Sequence, residues 1–218
     1  KLHFECYYKN GVPYGNIKKY FENGKLHIEG FISNNNYFGE YSEYNKKGQL
    51  VIKGNMHKNE LGGECKLYDK VTGRISADGK YKNGSLYFGK KYYIDNHLQN
   101  IEYEGEFQNK TFNGKGKSYY NNESNSIQFN GSFKNGKYEV AGILYYPNGH
   151  IDYQGDWVKG LRTGSGSSHY ESTGGIEYLG NWLNDDRHGE GSLYSEAGYE
   201  IWSGIWHQNE MLQIINTD

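Results

Sequence analysis

The 218 residues carry 24 Lys+Arg against 26 Asp+Glu and are only 35% hydrophobic, yet they are 17% aromatic, with 31 Gly and 2 Pro. The aromatic content excludes a disordered chain and the proline count a collagen-like one, while a formal charge of -2 gives no global attraction to nucleic acid or anionic lipid. No stretch approaches the ~18 apolar residues of a membrane span. No signal peptide opens the sequence, and two cysteines cannot staple a chain of this length, which favours a reducing compartment.

Taken in chain order, the predicted elements repeat. A glycine two places after a hydrophobic residue occurs at Gly30, Gly54, Gly79, Gly105, Gly131, Gly155, Gly180 and Gly204, in steps of 24 to 26 residues, and Cys6 begins the series in place of Gly. Two places before it stand Phe4, Ile28, Ile52, Ala77, Tyr103, Phe129, Tyr153, Tyr178 and Trp202. Two places after it stand Tyr8, Ile32, Met56, Tyr81, Phe107, Phe133, Trp157, Trp182 and Trp206. Leu2, Leu26, Leu50 and Ile75 open the column four places before it. Residues two apart on a strand share a face, and the residues between them are mostly polar, such as Glu104, Glu106, Gln154 and Asp156. This alternation predicts a half-buried antiparallel strand.

A turn follows each strand, as in Lys-Asn-Gly at Lys9, Lys82 and Lys134. The next strand is read as starting at a glycine with Tyr five residues on: Gly15 and Tyr20, Gly39 and Tyr44, Gly63 and Tyr68, Gly114 and Tyr119, Gly189 and Tyr194. Each repeat is therefore a two-stranded hairpin. A lone hairpin is marginal in water, so successive hairpins must pair edge to edge and stack their aromatics. The expected fold is all-β: an elongated, single-layer, twisted antiparallel sheet of about nine stacked hairpins, roughly 80 to 90 Å long at about 4.8 Å per strand. The tail from residue 212, with Leu212, Ile214 and Ile215, is read as a cap over the last strand or an interface, and free sheet edges suggest end-to-end homodimers.

The segments from Tyr103 to Tyr120, Tyr153 to Tyr170 and Tyr178 to Tyr194 follow Tyr-x-Gly-x-Trp/Phe, a turn, Gly-x-Gly and a later Tyr. They resemble MORN (membrane occupation and recognition nexus) repeats. The division expected is 1–100 for variant repeats, 101–211 for typical ones and 212–218 for the cap. The early units depart from the pattern, with Ile17, Tyr41 and Cys65 where later units have Gly116, Gly142, Gly166 and Gly191. In this they resemble the variant MORN repeat of bacterial antitoxin-like proteins.

The chemical motifs read as scaffold. Asn113-Gly-Lys-Gly-Lys-Ser lacks the first glycine of a phosphate loop, since Thr111 stands there, and no helix follows. Gly164 and Gly166 recur in register as Gly189 and Gly191, which a single ligand loop would not. Cys6 and Cys65 are two repeats apart, too far for a disulfide, and the eight histidines drift out of phase, so no metal or other cofactor is expected. Asp185, Asp186, His188 and Glu190 are the only grouping like acid/base equipment, and they fall in a hairpin turn, where solvated charge is the expected role. No catalytic residues are assigned.

Two roles are open to the aromatic column: packing repeat on repeat, or lining a groove for a partner. As the groove we name Tyr103, Phe107, Tyr153, Trp157, Tyr178, Trp182, Trp202 and Trp206. The resemblance implies a non-enzymatic scaffold or adaptor holding a protein or peptide partner, cytoplasmic, with membrane or cytoskeleton association. The alternatives it implies are attachment to phospholipid, an antitoxin or immunity role, or the repeat segment of a larger enzyme such as a lipid kinase or lysine methyltransferase.

Overall fold

The computed structural model describes residues 3–95 and 97–214. The described chain is all-β and falls into two compact units, Lys1–Lys110 and Thr111–Asp218. The first holds β1 (Phe4–Lys9), β2 (Val12–Tyr20), β3 (Leu26–Ser33), β4 (Asn36–Tyr44), β5 (Leu50–His57), β6 (Glu60–Tyr68), β7 (Ile75–Lys82), β8 (Ser85–Tyr92) and β9 (Ile101–Gln108). The second holds β10 (Thr111–Tyr119), β11 (Ile127–Lys134), β12 (Lys137–Tyr145), β13 (Ile151–Val158), β14 (Leu161–His169), β15 (Ile176–Leu183), β16 (Asp186–Tyr194), β17 (Glu200–His207) and β18 (Glu210–Ile214). Within each unit every strand pairs antiparallel with the next. Residues 212–214 thus lie in β18, while Leu2 and Ile215 lie outside the described residues.

Two-residue turns close the hairpins inside the units. Both central residues have positive φ in every one: Asn10 and Gly11, Asn34 and Asn35, Lys58 and Asn59, Asn83 and Gly84, Asn135 and Gly136, Lys159 and Gly160, Asn184 and Asp185, Gln208 and Asn209. Such turns match the right-handed twist of paired strands. They also correct a boundary, because the second strand begins three residues before the glycine that the sequence suggested. In β14, for example, the strand opens at Leu161, and Gly164 (φ 84°) sits at a bulge inside it.

Successive hairpin tips are tied to one another. The Asp185 N–H donates to the Arg162 carbonyl at 3.0 Å, and the Arg162 N–H donates to Asp185 Oδ1 at 2.9 Å. Arg187 and Asn209 repeat this exchange at 3.1 and 2.8 Å, and Tyr37 and Asn59 at 3.3 and 2.7 Å. A side chain that accepts from the previous tip satisfies a donor that would otherwise need water.

The packed face is built by two different routes. In the second unit the ring two places before the glycine lies over a bare glycine pair, as Tyr153 does over Gly155 and Gly166, which face each other across β13 and β14. In the hairpins of β3 with β4 and of β5 with β6 that position holds only Ile28 or Ile52, and Tyr41 and Cys65, at 6% and 2% exposure, fill the space from the second strand. Ile17, at 2% exposure, does the same in the first hairpin. The departures from the glycine pattern are size compensation across one strand pair.

Candidate functional site

Seven of the eight aromatics expected to line a groove are buried: Tyr103, Tyr153 and Tyr178 at 0%, Phe107 at 8%, Trp157 at 3%, Trp182 at 4% and Trp206 at 2%. Trp202 is half-buried. Their rings pack edge to face, Tyr153 with Trp157 at 5.0 Å and Trp182 at 5.3 Å, Tyr178 with Trp182 at 5.1 Å and Trp206 at 5.2 Å. Tyr103 meets Phe107 in the same way at 5.0 Å, and Trp202 meets Trp206 at 4.9 Å.

Polar handles on this ladder are used internally. Trp157, Trp182 and Trp206 donate Nε1–H to the carbonyls of Gly142, Gly166 and Gly191 at 3.2, 3.2 and 2.9 Å. Tyr178 donates its hydroxyl to the Asn181 carbonyl at 3.0 Å, and burial pushes the Tyr153 hydroxyl up to about 12. The self-packed role therefore describes this column, and it presents no open aromatic groove. The reason is the glycine pair, which lets each ring lie on the backbone instead of standing into solvent.

A column missed in the sequence covers these rings. It lies five residues after each Phe or Trp and holds Tyr138, Arg162 and Arg187. Tyr138 stacks on Phe129 with centroids 3.7 Å apart. The Arg162 guanidinium lies 4.4 Å from the Trp182 ring, and that of Arg187 lies 5.1 Å from Tyr178 and 5.5 Å from Trp206. Arg162 also pairs with Asp185 at 3.2 Å and Arg187 with Glu177 at 2.6 Å. The signal was present as an arginine at the same phase in two consecutive repeats.

The turn acids have structural duties. Asp185 holds Arg162, and Asp186 accepts from Asn209. The His188 ring lies 5.3 Å from that of His207, and Glu190 is exposed. Gly114 and Gly116 of the glycine-lysine-serine motif lie in β10, an extended strand. Cys6 and Cys65 are free thiols, and among the described residues no three of His, Cys, Asp and Glu are grouped to hold a metal.

Asp152 is an acid with a stability signature. Burial raises its carboxyl above the ordinary 3.8, against the opposing charge of Arg162. A raised acid favours the folded state while protonated, and that contribution fades as pH rises from the ordinary aspartate value through the raised one. Asp152→Asn should therefore gain on the parent protein as pH goes from acidic to neutral. Urea midpoints of both proteins across that range check this, and a constant difference would refute it.

An open channel lies on the other face of the first unit. One stretch of about 790 Å³ is lined by Glu5, Tyr7, Asn16, Lys18, Glu29 and Phe31, and a second of about 660 Å³ by Lys53, Asn55, Glu64, Lys66 and Asp78, with Glu40 and Ser42 common to both. These side chains alternate with the packed column of Ile17, Gly30 and Tyr41, which puts them on the opposite side of the sheet. Cross-strand ion pairs cross the floor, Lys18 with Glu29 at 3.3 Å and Lys66 with Asp78 at 3.4 Å. Such exposed pairs contribute little stability, so they can be exchanged for a partner's charges at small cost.

Comparison with known families matches the MORN repeat at residues 103–124, 129–151, 153–174 and 178–198. No curated protein matches the chain.

Proposed function

We propose, from the premise that residues 103–198 consist of MORN repeats, that this protein is a non-enzymatic scaffold that holds a segment of a partner protein. The observation that carries the reading is the channel on the face of the first unit opposite the packed side chains. The buried ladder acts as a stiff spine, and the channel supplies carboxylates, ammonium groups and the exposed ring of Tyr7, at 76%, to a polypeptide laid across the strands. Phospholipid is disfavoured as the occupant, because Glu5, Glu29, Glu40 and Glu64 would face anionic headgroups. The two free thiols fit a cytoplasmic setting.

A photo-reactive amino acid at Ser42 should crosslink a discrete protein partner, while the same group at Leu179, on the second unit, should not. Equal crosslinking at both positions, or flotation with anionic vesicles that blocks crosslinking at Ser42, would count against the reading.

A further inference from the structure

The hairpin of β11 and β12 carries two local features that oppose its own folding. Val140 adopts φ 67°, a region where a β-branched side chain crowds its own backbone. The same bulge position is glycine in six other hairpins, at Gly15, Gly39, Gly63, Gly114, Gly164 and Gly189, with φ between 63° and 100°. Val140 is 69% exposed, so internal packing does little to offset the strain. The hairpin's tip also sets Lys134 directly opposite Lys137, a like-charge cross-strand pair. The corresponding pairs elsewhere are mixed in character, such as His57 with Glu60 and Val158 with Leu161.

The surroundings leave both features open to solvent. Lys134, Lys137 and Lys159 are exposed and form no ion pair among the described residues. The nearby Glu139 carboxylate accepts the backbone N–H of Lys159 at 2.7 Å. β12 pairs with β13, where Val140 stands opposite Trp157 and next along is Val158, 47% exposed. Exposed aliphatics and uncompensated ammonium groups thus share one end of two adjacent hairpins.

We propose that this end, Lys134 to Val140 with Val158 and Lys159, is a second docking surface, and that its occupant is an acidic peptide segment bearing an aliphatic or aromatic side chain. The carboxylates of the segment would relieve the Lys134–Lys137 opposition, and its apolar group would cover Val140 and Val158. Strain retained at an exposed position fits a contact made only in the complex. The proposal rests on the reading of the chain as a binding scaffold and is independent of the channel.

Val140→Gly tests it with two readouts of opposite sign. Thermal unfolding should shift upward by about 2 to 4 °C, as strain is released. Twelve-residue peptides from a random display library, selected on the full chain, should be enriched in Asp or Glu beside Leu, Ile or Phe. The selected peptides should bind Val140→Gly at least about tenfold more weakly, and Lys134→Glu, Lys137→Glu more weakly still. Peptides without acidic bias, equal affinity for Val140→Gly, or phosphatidylserine vesicles bound through Val140 in their place would each overturn the proposal. Crosslinking at Ser42 should persist in Val140→Gly, so a failure here is separable from a failure of the scaffold reading.

Discussion

Gly155→Ala is expected to destabilise the second unit by about 3 kcal/mol or more, although it adds a single methyl group. A Cβ at Gly155 would stand 2.5 Å from the Ser165 carbonyl oxygen and 2.6 Å from the Gly166 Cα, both backbone atoms of the paired strand. It would also stand 2.5 Å from the Tyr153 hydroxyl. A flexible side chain could swing aside, but here the obstacle is the neighbouring strand. Relief requires the hairpin to part or the Tyr153 ring to leave its buried seat. Gly62→Ala is the matched control, because nothing lies within 4 Å of its Cβ position and its φ is not positive. That variant should be neutral or gain a few tenths of a kcal/mol, roughly, from a less flexible unfolded chain. Urea unfolding compares them, and a Gly155→Ala midpoint equal to that of Gly62→Ala would show that the sheet can yield.

Trp182→Ala should cost about 3 to 5 kcal/mol, near the upper end for a core side chain. The indole meets Tyr153 on one side and Tyr178 on the other, and Arg162 lies 4.4 Å from its ring. Its Nε1–H also satisfies the Gly166 carbonyl at 3.2 Å. Trp182→Phe keeps much of the apolar contact but gives up the hydrogen bond to that carbonyl, a loss of about 1 kcal/mol. Each hairpin touches only its neighbours in a repeat array, so the damage should be local. Hydrogen exchange should quicken in β13 to β16 and stay close to parent rates in β10 and β11. Parent-like exchange throughout in Trp182→Ala would mean that the ladder does not bind repeat to repeat.

The repeat period, the strand alternation and the three columns around Gly155 and its counterparts were readable, because each recurs as a residue type at a fixed offset. Three things were not. The turn at Gln208 and Asn209 has positive φ at both residues, like that at Asn135 and Gly136, but no glycine advertises it. Arg162 and Arg187 look like surface charge in a linear reading, since their place over Trp182 and Trp206 depends on a cross-strand neighbour. The burial of Tyr153, Trp157 and Trp182 was the third. Alternation shows that Tyr153 and Gln154 point oppositely, but not that a ring with glycines beneath it will lie flat and close its own face.

The hairpin of β7 and β8 joins two ways of filling the same space. Before it, bulk comes from Tyr41 and Cys65 on the second strand of a pair, and after it from Tyr103 on the first. Between them Ala77 stands before Gly79, Gly79 faces Gly89, and Leu86 of β8 comes within 3.1 Å of the place a side chain at Gly79 would take. It works like a section of track between two gauges. A hairpin should therefore exchange more readily with others of its own gauge than with one from the far side of Ala77.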